Sequence, residues 1–180
     1  MLIDHAVLED VHAVAQVHVS ASKAGYAGII PAEALAAQSI AQREAQWRDA
    51  IIRGTPDLAV AKDEGSVVGF VAFGASRDEG APATAGEICL IYVSPSHWSR
   101  GVGRQLWLYA RDCLAGRGYT SVSLWVLAEN TRAINFYLAA GFLPDSSSKS
   151  IRYETTAGKQ LEETRYVAAL TGFQANPREG

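Results

Sequence analysis

No apolar run in this chain approaches the roughly 18–20 residues that a membrane-spanning helix needs, so no membrane partner is expected. Cysteine is scarce. Cys89 and Cys113 are the only two, each inside an apolar run, where buried free thiols are expected rather than a disulfide or a nucleophile. Basic charge is not in excess: 16 Lys and Arg against 19 Asp and Glu leave a net charge of −3, which excludes the strongly basic surface of a nucleic-acid binder. The opening residues, MLIDHAVLED, lack the basic-then-apolar order of a signal peptide, so a cytoplasmic location is expected. His5, His12 and His18 lack metal-ligand spacing, and His97 reads as a surface residue. No Ser-His-Asp or Cys-His grouping suggests a covalent intermediate. Neither a metal nor an acyl-enzyme is therefore expected.

What is present is the patterning of one α/β (α+β) domain, expected over residues 1–171, with a disordered tail at 172–180. LIDHAV (2–7) alternates as a short strand, and residues 9–22 recur at helical spacing. Pro31 suits a helix start, and a second periodic stretch runs from 40 to 53, ending at Gly54. DLAVAK (57–62) and VVGFVAFG (67–74) flank a DEGS turn and read as a hairpin. EICLIYV (87–93) is nearly continuous in apolar residues, as in a strand covered on both faces. A helix from Val102 to the Gly116–Gly118 region, a strand at 121–127, a short helix over 129–141 and two closing strands follow. The sum is a mixed central sheet flanked by helices, in the order β-α-α-β-β-β-α-β-α-β-β.

One segment carries chemistry. SHWSRGVGRQLW (96–107) places Gly101 and Gly103 between Arg100 and Arg104 at the start of a helix, directly after the apolar strand. A helix N-terminus leaves unpaired amides and partial positive charge, and the glycines let a ligand approach that backbone closely. The combination suits a phosphate or pyrophosphate. A Walker loop is absent, and a dinucleotide-binding turn would need a third glycine where Leu106 stands.

Flanked by EICLIYVSP and LWVLAENTRAINFYLAAGF, this segment resembles the GNAT superfamily of acyl-CoA-dependent N-acetyltransferases. Trp98, Gly101 and Gly103 align with the family's Gln/Arg-x-x-Gly-x-Gly/Ala loop, with tryptophan departing at the first place. Asn130, Ala133, Phe136, Tyr137, Gly141 and Phe142 match its second cofactor motif position by position. The resemblance implies a GNAT fold in which strands 86–93 and 121–127 splay apart to admit the pantetheine arm of acetyl-CoA. It implies that Ile91, Tyr92 and Val93 offer backbone to that arm. The pyrophosphate would rest on the amides of Ser99, Arg100, Gly101, Val102, Gly103 and Arg104, while Asn130, Ala133 and Phe136 line the cofactor.

For the chemistry, an amine of pKa about 10.4 is neutral in only about one molecule in two thousand at neutral pH, so a proton acceptor helps. Glu87, at the start of the central strand and at the place of the glutamate base in histone-type relatives, is the expected base. Tyr137 is the expected acid for the leaving thiolate, with a phenol protonated at neutral pH. Trp125 stands where ribosomal-protein N-terminal acetyltransferases carry a glutamate base, and tryptophan takes no proton. Tyr26 is a candidate for the acceptor pocket and Trp47 for the core. The expected activity is acetyl transfer to a primary amine of a small-molecule acceptor, by direct attack in a ternary complex. A sensor of acyl-CoA without turnover, or an acetyltransferase of protein N-termini or lysines, are the alternatives. The family is often dimeric, so a homodimer is compatible. Acceptor choice is expected to lie in the N-terminal helices and in residues 144–160.

Overall fold

The computed structural model describes residues 1–146, 150–155 and 158–170; the expected tail at 172–180 and part of the turn at 155–160 lie outside them. The elements run β1 (Leu2–His5), α1 (Val11–Gly25), α2 (Ala32–Ala36), α3 (Ile40–Arg53), β2 (Asp57–Asp63), β3 (Ser66–Ala75), β4 (Ala85–Val93), α4 (Val102–Gly116), β5 (Ser121–Leu127), α5 (Thr131–Ala139), β6 (Leu143–Pro144), β7 (Ile151–Glu154) and β8 (Gln160–Ala169). Two differ from the periodicity reading. Pro31 opens the one-turn helix α2, too short to show a period, and the two-residue strand β6 is too short to alternate.

The sheet has strand order β1-β2-β3-β4-β5-β8-β6, with β7 also on β8, and it is open and mixed. Among the described strands only the β4–β5 pair runs parallel. Alternation along the strands sends side chains to two cores. Val71 and Phe73 of β3 and Ala59 and Ala61 of β2 pack beneath α4, whose Val102, Leu106, Ala110 and Leu114 are buried at helical spacing. Phe70 and Ala72, with Leu58 and Val60, face the opposite way onto Val14 and Val17 of α1 and Trp47 of α3. At Gly69 β3, β4 and α4 approach closely: a Cβ there would lie 3.0 Å from the Tyr92 carbonyl oxygen and 3.1 Å from a Leu106 methyl.

Trp47 is a core residue, 2 % exposed, and its indole N–H donates to Nδ1 of buried His18 at 3.1 Å. Burial, and secondarily the positive charge of Arg43, push the His18 pKa down to about 3. Between about pH 6.5 and 3 the unfolded chain binds a proton at this residue that the native state does not, so stability falls as pH drops through that window. The cost is roughly 3–5 kcal/mol once the window has been crossed. His18→Gln keeps an acceptor for the indole and does not titrate. Urea unfolding at pH 7, 5 and 4 should show a shallower loss of stability in this variant than in the wild type.

Candidate active site

β4 and β5 pair in register only from Ala85–Ser121 to Glu87–Ser123. Beyond that point β4 stays with β3 as far as Val93, and β5 stays with β8 as far as Leu127, so the two diverge. The β3–β4 register shifts between Ala72, opposite Leu90, and Phe73, opposite Ile88. Cys89 is the extra residue of this bulge, a device that bends and twists a strand. The Ser94 N–H donates to the Val68 carbonyl at 2.8 Å, which sets the alternation on β4. Residues 92 and 94 spend their backbone groups on β3, whereas Ile91 and Val93 turn theirs toward the gap. The Val93 carbonyl is already taken, accepting from the Trp98 indole N–H at 2.7 Å. The expectation for three neighbouring residues is corrected accordingly: Tyr92 meets the gap with its side chain, because consecutive residues of a strand cannot face one edge.

The gap opens into a cavity of about 310 Å³. At its mouth the backbone takes left-handed conformations at Ser99 (φ 60°) and Gly101 (φ 82°), and α4 begins at Val102. Gly101 is needed for that angle, and nothing lies within 4 Å of where its side chain would stand. Ser99, Gly101, Val102, Gly103 and Arg104 line the cavity; Arg100 is exposed and does not. Gly103 has a packing reason as well, since a Cβ there would meet Phe136 at 3.3 Å. Asn130 caps α5, its Oδ1 accepting from the Ala133 N–H at 3.1 Å, and it also lines the cavity. Ala133, Phe136 and Tyr137 follow on one face of α5 and line the same wall. Arg132, which motif reading passed over, stacks its guanidinium 3.3 Å from the centre of the Trp98 ring. The mouth therefore gathers a helix N-terminus, Arg104 and Arg132, all favouring an anion.

The inner end has another character. Tyr26, the residue that ends α1, accepts a hydrogen bond from the Tyr92 hydroxyl at 3.3 Å. Tyr137 is buried, and its hydroxyl has no hydrogen-bond partner among the described residues. Burial raises the pKa of Tyr26, Tyr92 and Tyr137, so all three remain phenols at neutral pH. Cys89 lines the wall with its thiol pushed up to about 11, chiefly by burial. Trp125 also lines it and donates its indole N–H to Asp78 at 2.8 Å.

The carboxylates are not distributed as expected. Glu87 is 2 % exposed and does not line the cavity. Its Oε2 accepts from the Arg77 backbone N–H at 2.9 Å and from Nε at 3.1 Å, while Oε1 is bound by the Arg77 guanidinium. A carboxylate holding three such donors and absent from the cavity's lining is not placed to meet an acceptor there, contrary to the expectation of Glu87 as the base. A different carboxylate, Glu163 of β8, does line the cavity. It lies directly opposite Leu127, and Arg165 opposite Trp125, so these side chains share one face of the sheet. Its signal in the sequence is parity with buried Leu161, which marks an inward-facing strand position.

The remaining histidines are dispersed. His12 pairs with Glu44, His5 packs edge-on against Tyr109, and His97 lines the mouth 3.9 Å from Asp63. Among the described residues no three potential metal ligands converge, and no helix is long and apolar enough to cross a membrane.

Comparison with known proteins agrees with this architecture. The acetyltransferase (GNAT) family model matches residues 29–142. An uncharacterized N-acetyltransferase, YuaI, of Bacillus subtilis is 34% identical over 138 residues, covering 76% of this chain and 77% of that protein. The fold matches the crystal structure of a ribosomal-protein-alanine N-acetyltransferase from Brucella melitensis (TM-score 0.73, 22% identity, 94% of this chain and 99% of that one). It also matches the PaiA N-acetyltransferase from Thermoplasma acidophilum in complex with coenzyme A (TM-score 0.70, 21% identity, 92% and 100%). The chain belongs to the GNAT family and is an acetyl-CoA-dependent N-acetyltransferase. Because Glu87 serves Arg77 and not the cavity, Glu87→Gln should lower stability by about 1–3 kcal/mol. It should leave kcat/KM for acetyl transfer within about threefold, the range of a change outside the reacting groups. Urea unfolding and steady-state coenzyme A release measure the two effects separately.

Proposed function

We propose that this single domain, residues 1–171, transfers an acetyl group from acetyl-CoA to the primary amine of a small-molecule acceptor, by direct attack in a ternary complex. The observation that carries this reading is the parting of β4 from β5 after Glu87 and Ser123, with an anion-favouring mouth at one end and an enclosed aromatic wall at the other. In this reading the amides of residues 99–104 hold the pyrophosphate, with Arg104 and Arg132 adding charge. Ile91 and Val93 present main chain to the pantetheine arm, and Asn130, Ala133 and Phe136 flank it. Acetyl-CoA supplies the activated acyl group.

Tyr137 acts as the acid. Its hydroxyl is unpartnered in the wall, and burial keeps the proton on it until a departing thiolate, of pKa about 8.5, takes it. Direct attack is favoured over an acyl-enzyme by the state of Cys89. It is the one thiol in the wall, and a thiol pushed up to about 11 offers almost no thiolate at neutral pH. A small acceptor is favoured by the enclosure of the inner end by Tyr26, Tyr92, Trp125 and Tyr137.

The test is coenzyme A release from acetyl-CoA across amino acids, monoamines, polyamines, aminoglycosides and short peptides. A small amine should stimulate release well above the amine-free rate, with intersecting initial-velocity lines when both substrates are varied. Tyr137→Phe should lower kcat by about 10²-fold or more, the scale of general acid catalysis, with little change in acetyl-CoA binding. Peptides outperforming every small amine, or binding of acetyl-CoA with no release on any acceptor, would overturn the reading.

A further inference from the structure

The two ends of the cavity differ in sign. Of its charged lining residues, Arg104 and Arg132 lie at the mouth beside Trp98, and the carboxylate of Glu163 lies within the inner wall. Glu163 is half-buried and has no hydrogen-bond or ion-pair partner among the described residues. Burial raises its pKa, which makes it a better proton acceptor than a solvated carboxylate. Tyr26, Tyr92 and Tyr137 line the same cavity as Glu163, with the Tyr92 hydroxyl donating to that of Tyr26 at 3.3 Å. Among the described residues the nearby cations have partners of their own: Arg43, whose charge reaches Tyr92 and His18, donates to Gln46. Arg77 holds Glu87, and Arg165 holds Asp78 and Asp145. Lys159 donates to the Ile29 carbonyl and to Glu129.

An unpartnered carboxylate among aromatic faces is a receptor for a cation. We infer that Glu163 receives the ammonium group of the acceptor and takes its proton, and that the inner end therefore selects amines with no carboxylate on the carbon beside the nitrogen. This rests on the small-amine reading above. An α-carboxylate would be brought within a few ångströms of Glu163, where no lysine or arginine among the described residues lines the inner wall to offset it, and like charges in a desolvated cavity repel strongly.

The step balances without a further reagent. Glu163 takes one proton from the ammonium, and the freed nitrogen pair forms the C–N bond to the acetyl carbonyl carbon. The C–S bond breaks with its electron pair going to sulfur. Tyr137 gives its proton to sulfur and regains one from the acylated nitrogen. Glu163 then returns its proton to solvent, so each turnover releases one.

Matched pairs test the inference: tyramine with tyrosine, tryptamine with tryptophan, and phenethylamine with phenylalanine. With the wild-type enzyme the amine of a pair should exceed its amino acid in kcat/KM by about tenfold or more, the usual scale of a charge-based discrimination. Glu163→Gln, isosteric and uncharged, should lower kcat/KM for the amine by about 10²-fold and narrow the gap between pair members. Glu163→Asp should recover part of the loss. Amino acids that react as well as their amines, or a gap unchanged in Glu163→Gln, overturn the inference while the small-amine reading stands. Release stimulated by no small amine, with acetyl-CoA still protecting the protein against heat, overturns both. The wild-type panel reads the inference even if a variant fails to fold.

Discussion

The site depends on β4 being held along one edge and released along the other. β3 keeps its grip through Val93, while β5 lets go after Glu87 and Ser123. A parallel pair that stayed zipped would satisfy both edges and leave no cavity. The bulge at Cys89 bends β4 where the partnership ends, and β8 holds β5 to its own course. Backbone groups left without a strand partner need other partners. One has been found internally, the Val93 carbonyl bound by Trp98. The main chain of Ile91 faces the gap and is available to a ligand.

Around this opening the fold separates two kinds of electrostatic environment. The mouth is built from the N-terminus of α4 and residues of the first turn of α5, and Arg104 and Arg132 add full charge. The inner end is built from strands and from the residue that closes α1, and its polar side-chain groups are phenols, a thiol, an indole N–H held by Asp78 and the Glu163 carboxylate. Behind Tyr92 stands a layer of packed rings, His18, Phe70 and Trp47, which holds that wall in place. The helices that cover the inner end thus belong to the second core, and the helices that make the mouth belong to the first.

Local patterns made the architecture legible. The periods of β2, β3, β5, α3 and α4, the turn between β2 and β3, and the glycine-rich start of α4 each arise within a dozen neighbouring residues. What was hidden depends on contacts between distant segments. The first residue of EICLIYV stands at the expected base position, but the loop before β4 folds Arg77 over it. Arg132 belongs to no motif position, and its place at the mouth comes from its stacking on Trp98, a residue distant in sequence. Glu163 sits among other charged residues in LEETRYV, and only its register opposite Leu127 turns it inward. The backbone offered by β4 was misjudged at Tyr92 because strand alternation relative to a neighbour requires knowing the neighbour. In each case sequence spacing gave the residue type and tertiary pairing gave its use.

The central claim is that the opening between β4 and β5 is where acetyl-CoA lies, with its pyrophosphate on the loop before α4. Backbone amide NMR of the labelled protein titrated with coenzyme A tests this directly. The account predicts large shifts at Gly101 to Arg104, with smaller shifts and slowed hydrogen exchange at Ile91 and Val93, and little change at β1 or α3. Binding that shifts amides elsewhere, while Gly101, Gly103 and Ile91 stay unmoved, would contradict it.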